Sequence, residues 1–237
     1  MKVHRFILDA NFDEPRFALA DREVSRQIRS VLKLKKGETI ILGDGHGDEA
    51  ECRISDIGMS GVMVEVIKRS RNNNEPQIQT ILYCAILKRE NFDLVVQKAT
   101  ELGVTEIYPV ISKRTVKLDV NMERIIKIAK EAAEQSGRGI VPLVHTPVKF
   151  LEALRYAAPN DANYFFEQGA PPFDKGVLRM KGMNRVGIFI GTEGGWDESE
   201  VEAAKKHYFN LASLGSLTYR AETAAIVATF ALSTDCI

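Results

Sequence analysis

The feature that most constrains this chain is a pair of apolar runs, each ending in glycine, near its C-terminal end. Val186-Gly-Ile-Phe-Ile190 runs directly into the loop Gly191-Thr-Glu-Gly-Gly195. A helical segment starts at Asp197, a second run Asn210-Leu-Ala-Ser-Leu-Gly215 follows, and Arg220-Ala-Glu-Thr-Ala224 leads into an apolar tail. Strands buried on both faces of a parallel sheet read as continuous apolar runs. In an open parallel sheet the strand ends point to one edge, where ligands bind. This layout predicts an α/β fold with a small-molecule site at the glycine loops.

The chemistry of that site follows from what the loops lack. Gly191-Thr-Glu-Gly-Gly195 has no P-loop lysine, and the chain carries no G-x-S-x-G elbow. What remains is exposed backbone, hydroxyls on Thr192, Thr218, Tyr219 and Thr223, one arginine (Arg220) and one carboxylate (Glu222). Backbone donors between apolar walls suit an uncharged flat ring such as adenine better than a triphosphate.

The rest of the chain reads as two parts. Up to Arg71, short β-rich runs (Glu38 to Leu42, Glu49 to Ile57, Gly61 to Ile67) joined by glycine turns predict a small barrel or compact sheet. Gly43-x-Gly45-x-Gly47 leads into a strand rather than a helix and is expected to be a hairpin turn, not a dinucleotide fingerprint. Asp21 is the expected N-cap of a helix over Arg22 to Leu34. At about 100° per residue, Arg22, Arg26, Arg29 and Lys33 share one stripe opposite Val24, Ile28, Val31 and Leu32, a candidate track for a phosphate backbone. The polar segment Arg71 to Pro76 is the expected linker, and beyond it strands and helices alternate. Those helices are expected over Asn91 to Leu102, Asn121 to Ser136, and from a Thr146-Pro147 cap to about Ala157.

Net charge is zero, with 45% hydrophobic and 27% charged residues, so a globular core is expected rather than an indiscriminate nucleic-acid coat. Cys52, Cys84 and Cys236 form no C-x-x-C, and the four histidines (His4, His46, His145, His207) show no ligand spacing. Buried thiols, no metal and a cytoplasmic setting are expected. The longest apolar runs fall well short of the roughly 20 residues a membrane span needs.

Several motifs in order carry a resemblance: His4-Arg-Phe6, Gln97-Lys-Ala-Thr-Glu-Leu-Gly103, Glu131-Ala-Ala-Glu-Gln-Ser-Gly-Arg138, Gly191 to Gly195, and Leu214-Gly215 with Arg220-Ala-Glu-Thr-Ala224. Together they resemble the RsmE-type ribosomal RNA (uracil-N3)-methyltransferases of the SPOUT class. The resemblance implies a mostly parallel, trefoil-knotted sheet with helices on both faces (residues 77–237) and a small N-terminal PUA-like β-barrel (residues 1–71) that binds RNA. It implies S-adenosylmethionine held by three loops. The cofactor-binding candidates are Glu167, Gly191, Thr192, Glu193, Gly194, Gly195, Leu214, Gly215, Thr218, Tyr219, Arg220 and Thr223.

Arg220 and Glu222 become the catalytic candidates, and Arg5, Arg22, Arg26, Arg29, Lys33 and Arg138 the RNA-binding ones. A homodimer acting on 16S ribosomal RNA, within the small subunit, is the implied assembly. The chain departs from the family pattern at Thr192 (commonly proline), Tyr219 (leucine) and Ala221 (threonine). The alternatives are a SPOUT enzyme acting on another RNA position, a non-catalytic RNA-binding module, and an unrelated nucleotide-binding enzyme.

Overall fold

The computed structural model describes residues 3–58, 61–116, 118–174, 176 and 182–233. Cys236 and the Met59-Ser60 tip of an expected turn lie outside the described residues. The chain divides into two compact units, Met1–Glu75 with Ala133–Val141, and Pro76–Ala132 with Pro142–Ile237.

The first unit is built on a mixed five-stranded sheet in the order β1-β3-β4-β5-β2. Its strands are β1 (His4–Ile7), β2 (Arg16–Ala18), β3 (Thr39–Gly43), β4 (Asp48–Gly58) and β5 (Gly61–Arg71). β1 runs parallel to β3, and the other pairs are antiparallel. Side chains alternate across a strand, so Ile40 and Leu42, Ala50, Cys52 and Ile54, and Val62 and Val64 all point into one buried core with Phe6, Leu8 and Ile28. The Gly43–Gly47 stretch is the expected hairpin turn between β3 and β4.

Asp21 caps α1 (Arg22–Arg26) as its sequence predicts, accepting from Glu23 and Val24 N–H at 2.8 and 3.1 Å. The helix is shorter than expected. Its ladder widens to a π-turn over Gln27–Val31, closed by Leu32 N–H to Gln27 C=O at 2.9 Å, and Lys33 then adopts φ +53°. A π-turn inserts one residue and breaks the 3.6 phase. Val31 consequently points out, 66% exposed, and the four-cation stripe does not continue past Arg26.

The expected linker is ordered by hydrogen bonds. Asn72 and Asn74 side-chain amides donate to Gly137 C=O at 3.1 and 2.9 Å, and Asn72 N–H donates to Gly47 C=O at 2.8 Å.

The second unit carries a seven-stranded sheet in the order β12-β10-β11-β6-β7-β8, with β9 also paired to β7. Every pairing in it is parallel. The strands are β6 (Gln79–Ala85), β7 (Glu106–Ile111), β8 (Leu143–Val144), β9 (Val148–Lys149), β10 (Ala162–Phe166), β11 (Arg185–Ile190) and β12 (Asn210–Ala212). The helices are α2 (Arg89–Glu101), α3 (Met122–Ser136), α4 (Phe150–Tyr156), α5 (Glu198–Lys206) and α6 (Ala221–Ser233). Thr146-Pro147 does not open α4. A two-residue strand intervenes, and Lys149 caps the helix through its N–H bond to Glu152 at 3.0 Å.

Ile81, Tyr83 and Ala85 share one sheet face with Phe165 and Phe189, packed against Phe150, Ala153 and Leu154 of α4 and Ala204 of α5. Tyr83 stacks between Phe189 and Tyr108 at centroid distances of 4.4 and 4.8 Å. On the other side α6 packs on α2, β6 and β11. From edge strand β12 the chain thus returns to the middle of the sheet. No described helix is long and apolar enough to cross a membrane.

Candidate functional site

Because β10, β11 and β12 are parallel neighbours, the loops that follow them emerge side by side at one sheet edge. They enclose a cavity of about 440 Å³, within the size range of small-molecule sites. Ten of the sequence candidates line it: Glu167, Gly191, Thr192, Glu193, Gly194, Gly195, Leu214, Gly215, Thr218 and Tyr219.

Each loop is shaped by local bonds. Thr192 and Gly195 form a bridge in which Gly195 N–H donates to Thr192 C=O at 2.9 Å and Thr192 Oγ1 to Gly195 C=O at 3.1 Å. The turn needs φ +72° at Gly195. At Gly191 a Cβ would meet the Gly195 carbonyl carbon at 3.1 Å and the Trp196 ring at 3.2 Å, tight contacts that favour glycine where the chain doubles back. Glu193 Oε1 accepts from Lys88 N–H at 3.2 Å, which anchors the loop from the adjoining β6–α2 connection.

The first and third loops are joined by Gln168 Nε2, which donates to Thr218 Oγ1 at 2.7 Å. Among the described residues, the N–H groups of Leu214 to Tyr219 donate to no other backbone carbonyl. They remain available to a ligand. The floor is aromatic: Trp196 is 3% exposed, stacks on Phe165 at 4.7 Å, and donates Nε1–H to Phe166 C=O at 3.2 Å. Burial pushes the Glu167 carboxyl up, and the positive charge of Arg114 pulls it down less strongly.

Three candidates stand apart from the lining. Arg220 is exposed, and its carbonyl accepts Ala224 N–H at 2.8 Å at the start of α6. Glu222 is buried on the first turn of α6, and its Oε2 has no hydrogen-bond partner. Thr223 is half-buried beside it. Their neighbours Ala221 and Ala224 do reach the cavity.

Sequence reasoning passed over Arg114, Phe166, Gln168, Trp196 and Leu217, which also line it. Trp196 adjoins the glycine loop and is the chain's single tryptophan, a signal that was present. Arg114 follows β7, far from the glycine motifs, and had no such signal.

The RNA candidates divide. Arg22 and Arg26 are exposed on α1. Arg29 donates to Ser25 and Gly58 carbonyls at 3.3 and 3.2 Å, and Lys33 is exposed beyond the π-turn. Arg5 is paired with Glu49, both side chains being under 15% exposed. Burial works to raise the Glu49 carboxyl, but hydrogen bonds from Arg5, Asn72 and Ser70 outweigh it and hold it low. Arg138, expected at the RNA, is instead buried with its guanidinium clasping Glu75, so a phosphate meets it only at the expense of that pair. No group of metal-ligating side chains occurs among the described residues.

Comparison with known proteins gives this geometry a family. Residues 73–233 match the model of an RNA methyltransferase domain, and residues 21–67 that of an RNA methyltransferase PUA domain. Ribosomal RNA small subunit methyltransferase E of Rickettsia conorii is 30% identical, over 96% of this chain and 94% of that protein. The Bacillus subtilis protein of the same name is 31% identical, over 93% and 91%. The Neisseria gonorrhoeae ribosomal RNA small subunit methyltransferase E, solved bound to S-adenosylmethionine, superposes with a TM-score of 0.86 at 29% identity, covering 96% of this chain and 95% of that one. With its methyltransferase domain matched throughout and its relatives aligned nearly end to end, the chain belongs to the ribosomal RNA small subunit methyltransferase E family.

Proposed function

We propose that this enzyme methylates N3 of a uridine in 16S ribosomal RNA, within the small subunit, with S-adenosylmethionine as methyl donor and as a homodimer. The observation that carries the reading is the cavity between the loops after β10, β11 and β12. Its contents fit the cofactor: a buried aromatic floor, apolar walls from Ile190, Leu214 and Leu217, uncommitted N–H groups from Leu214 to Tyr219, and acidic side chains for a cationic ligand. Glu167, Gly191 to Gly195, Leu214, Gly215 and Thr218 would hold it. When bound, the cofactor supplies an electrophilic methyl group on a sulfonium.

The protein's part is alignment and charge management. Trp196 and Phe166 close the floor of the cavity to water. Arg220, exposed beside the third loop, stabilises negative charge on the uracil oxygens as N3 loses its proton. Glu222 carries a carboxylate oxygen with no other partner and is the candidate acceptor of that proton. A target uridine is single-stranded or extruded, because pairing buries N3. Arg22 and Arg26 supply exposed positive charge for its backbone. Val116 and Leu118, 91% and 59% exposed, are apolar surface that a second copy would cover.

Calorimetric titration with S-adenosylmethionine and, separately, ATP tests the reading, followed by a search for 3-methyluridine in digested 16S ribosomal RNA. Saturable binding of the first alone, with that nucleoside formed, is expected. No binding of S-adenosylmethionine, with or without RNA, would overturn it.

A further inference from the structure

Arg114 lies in a turn held from two sides. Ser112 N–H donates to Thr115 Oγ1 at 2.9 Å, and Thr115 N–H returns to Ser112 C=O at 3.1 Å. Lys113 fastens the turn to the N-terminus of α5: its N–H donates to Glu200 Oε1 at 2.9 Å, and its Nζ to Asp197 Oδ1 at 3.0 Å and Ser199 Oγ at 2.6 Å. From this base Arg114 Nη1 donates to the Gly194 carbonyl. The arginine side chain lies over the glycine pair, at ordinary contact distance from where their Cβ atoms would sit. A Cβ on Gly194 would meet Arg114 Cδ at 3.7 Å, and one on Gly195 would meet Nη1 at 4.0 Å.

Charge gives this arrangement a second meaning. Among the described residues that line the cavity, Arg114 is the single cation, and Glu167 and Glu193 are the acids. Glu193 is engaged with Lys88 N–H. A guanidinium has five N–H donors in a planar fork, and the Gly194 bond uses one. A methyl donor built on an amino acid brings a carboxylate, which needs a cationic partner when it leaves water.

The geometry points to Arg114 as the residue that takes the carboxylate of the cofactor's amino-acid end while its Nη1 holds the Gly194 carbonyl. The assignment rests on the proposed cofactor. It makes one side chain responsible both for the shape of the second loop and for recognising the ligand's tail.

The test compares two stable ligands by calorimetry on the full chain. S-adenosylhomocysteine has the amino-acid end, and 5′-methylthioadenosine lacks it. Arg114→Ala is expected to weaken S-adenosylhomocysteine roughly ten- to a hundred-fold more than 5′-methylthioadenosine, the scale of a lost charge-assisted hydrogen bond, any loss of the latter reporting the loop alone. Arg114→Lys is expected to recover part of the loss, and it carries the comparison if the alanine variant fails to fold. Equal weakening of both ligands would mean that Arg114 only shapes the loop and would overturn the assignment. So would unchanged binding of both, including the case where Arg114→Ala instead weakens RNA and lowers its salt dependence, which would give the guanidinium to a phosphate. If the unmodified protein binds neither ligand, the cofactor reading itself fails, a result visible before any variant is made.

Discussion

Glu75 and Arg138 are 63 positions apart in the chain and form a two-pronged ion pair, with Arg138 Nη2 2.6 Å and Nε 3.1 Å from Glu75 Oε2. Their side chains are 19% and 4% exposed, and Glu75 Oε1 also accepts Gly139 and Ile140 N–H, both at 3.1 Å. Removing one member of such a pair leaves the other's charge without its counterion. Arg138→Met is therefore expected to lose about 3 kcal/mol of stability, read as a lower urea midpoint at unchanged slope. The double variant with Glu75→Gln should recover much of it.

Gly191→Ala tests the doubling-back of the second loop. Its Cβ would crowd the Gly195 carbonyl carbon at 3.1 Å and the Trp196 ring at 3.2 Å, so one of them must give. Overpacking of this kind costs about 1–3 kcal/mol, and the loop is the part free to move. The expected result is a cofactor affinity reduced at least about ten-fold, since 1.4 kcal/mol is a factor of ten, with a smaller change in thermal midpoint. Normal affinity in calorimetry would show that the loop accommodates the methyl.

Glu106 gives an acid-side signature. Its Oε1 accepts Arg185 Nη2–H at 2.7 Å, and its Oε2 lies 2.8 Å from His145 Nε2. Burial works to raise its carboxyl, but the hydrogen bonds from His145 and Arg185 outweigh it and hold it below the ordinary 4.5. A carboxylate depressed in the folded state stabilises fully above its unfolded pKa, and that contribution disappears as pH falls through the folded one. Stability should fall as pH drops below the ordinary carboxylate range, and Glu106→Gln should flatten that fall. Parallel curves for the two proteins would refute the role of Glu106.

Arg220→Ala is expected to leave S-adenosylmethionine binding detectable and to cut turnover about a hundred-fold or more, the loss seen when a donor to developing negative charge is removed. Single-turnover methylation of the RNA is the measurement, and an unchanged rate would remove Arg220 from the chemistry.

The exposed pair Arg22 and Arg26 is expected to meet phosphates. Arg22→Glu with Arg26→Glu should weaken RNA binding and lower the slope of log K against log salt by about 2. An unaltered slope would make α1 an ordinary solvated face.

What was legible in the sequence was what short-range pattern encodes. A continuous apolar run marked β11, Asp21 and Asp197 marked helix starts, and the glycine loops marked the cavity. The π-turn over Gln27–Val31 escaped, because an inserted residue leaves the apolar spacing nearly intact and is decided by packing. Arg5 and Arg138 read as free cations because Glu49 and Glu75 lie far away in sequence. Arg114 escaped for the same reason: its turn meets Gly194 only through the folded sheet.

The placement of α6 on α2, β6 and β11 has a consequence for biosynthesis. The third loop and α6 leave the ribosome long after the strands they must cover, and contacts so distant in sequence form slowly. A polypeptide interrupted before residue 213 would possess most of its parallel sheet and two of the three loops, yet no enclosed pocket. Truncated products would then be catalytically silent, and the competence to modify RNA would itself report that translation had run through to α6.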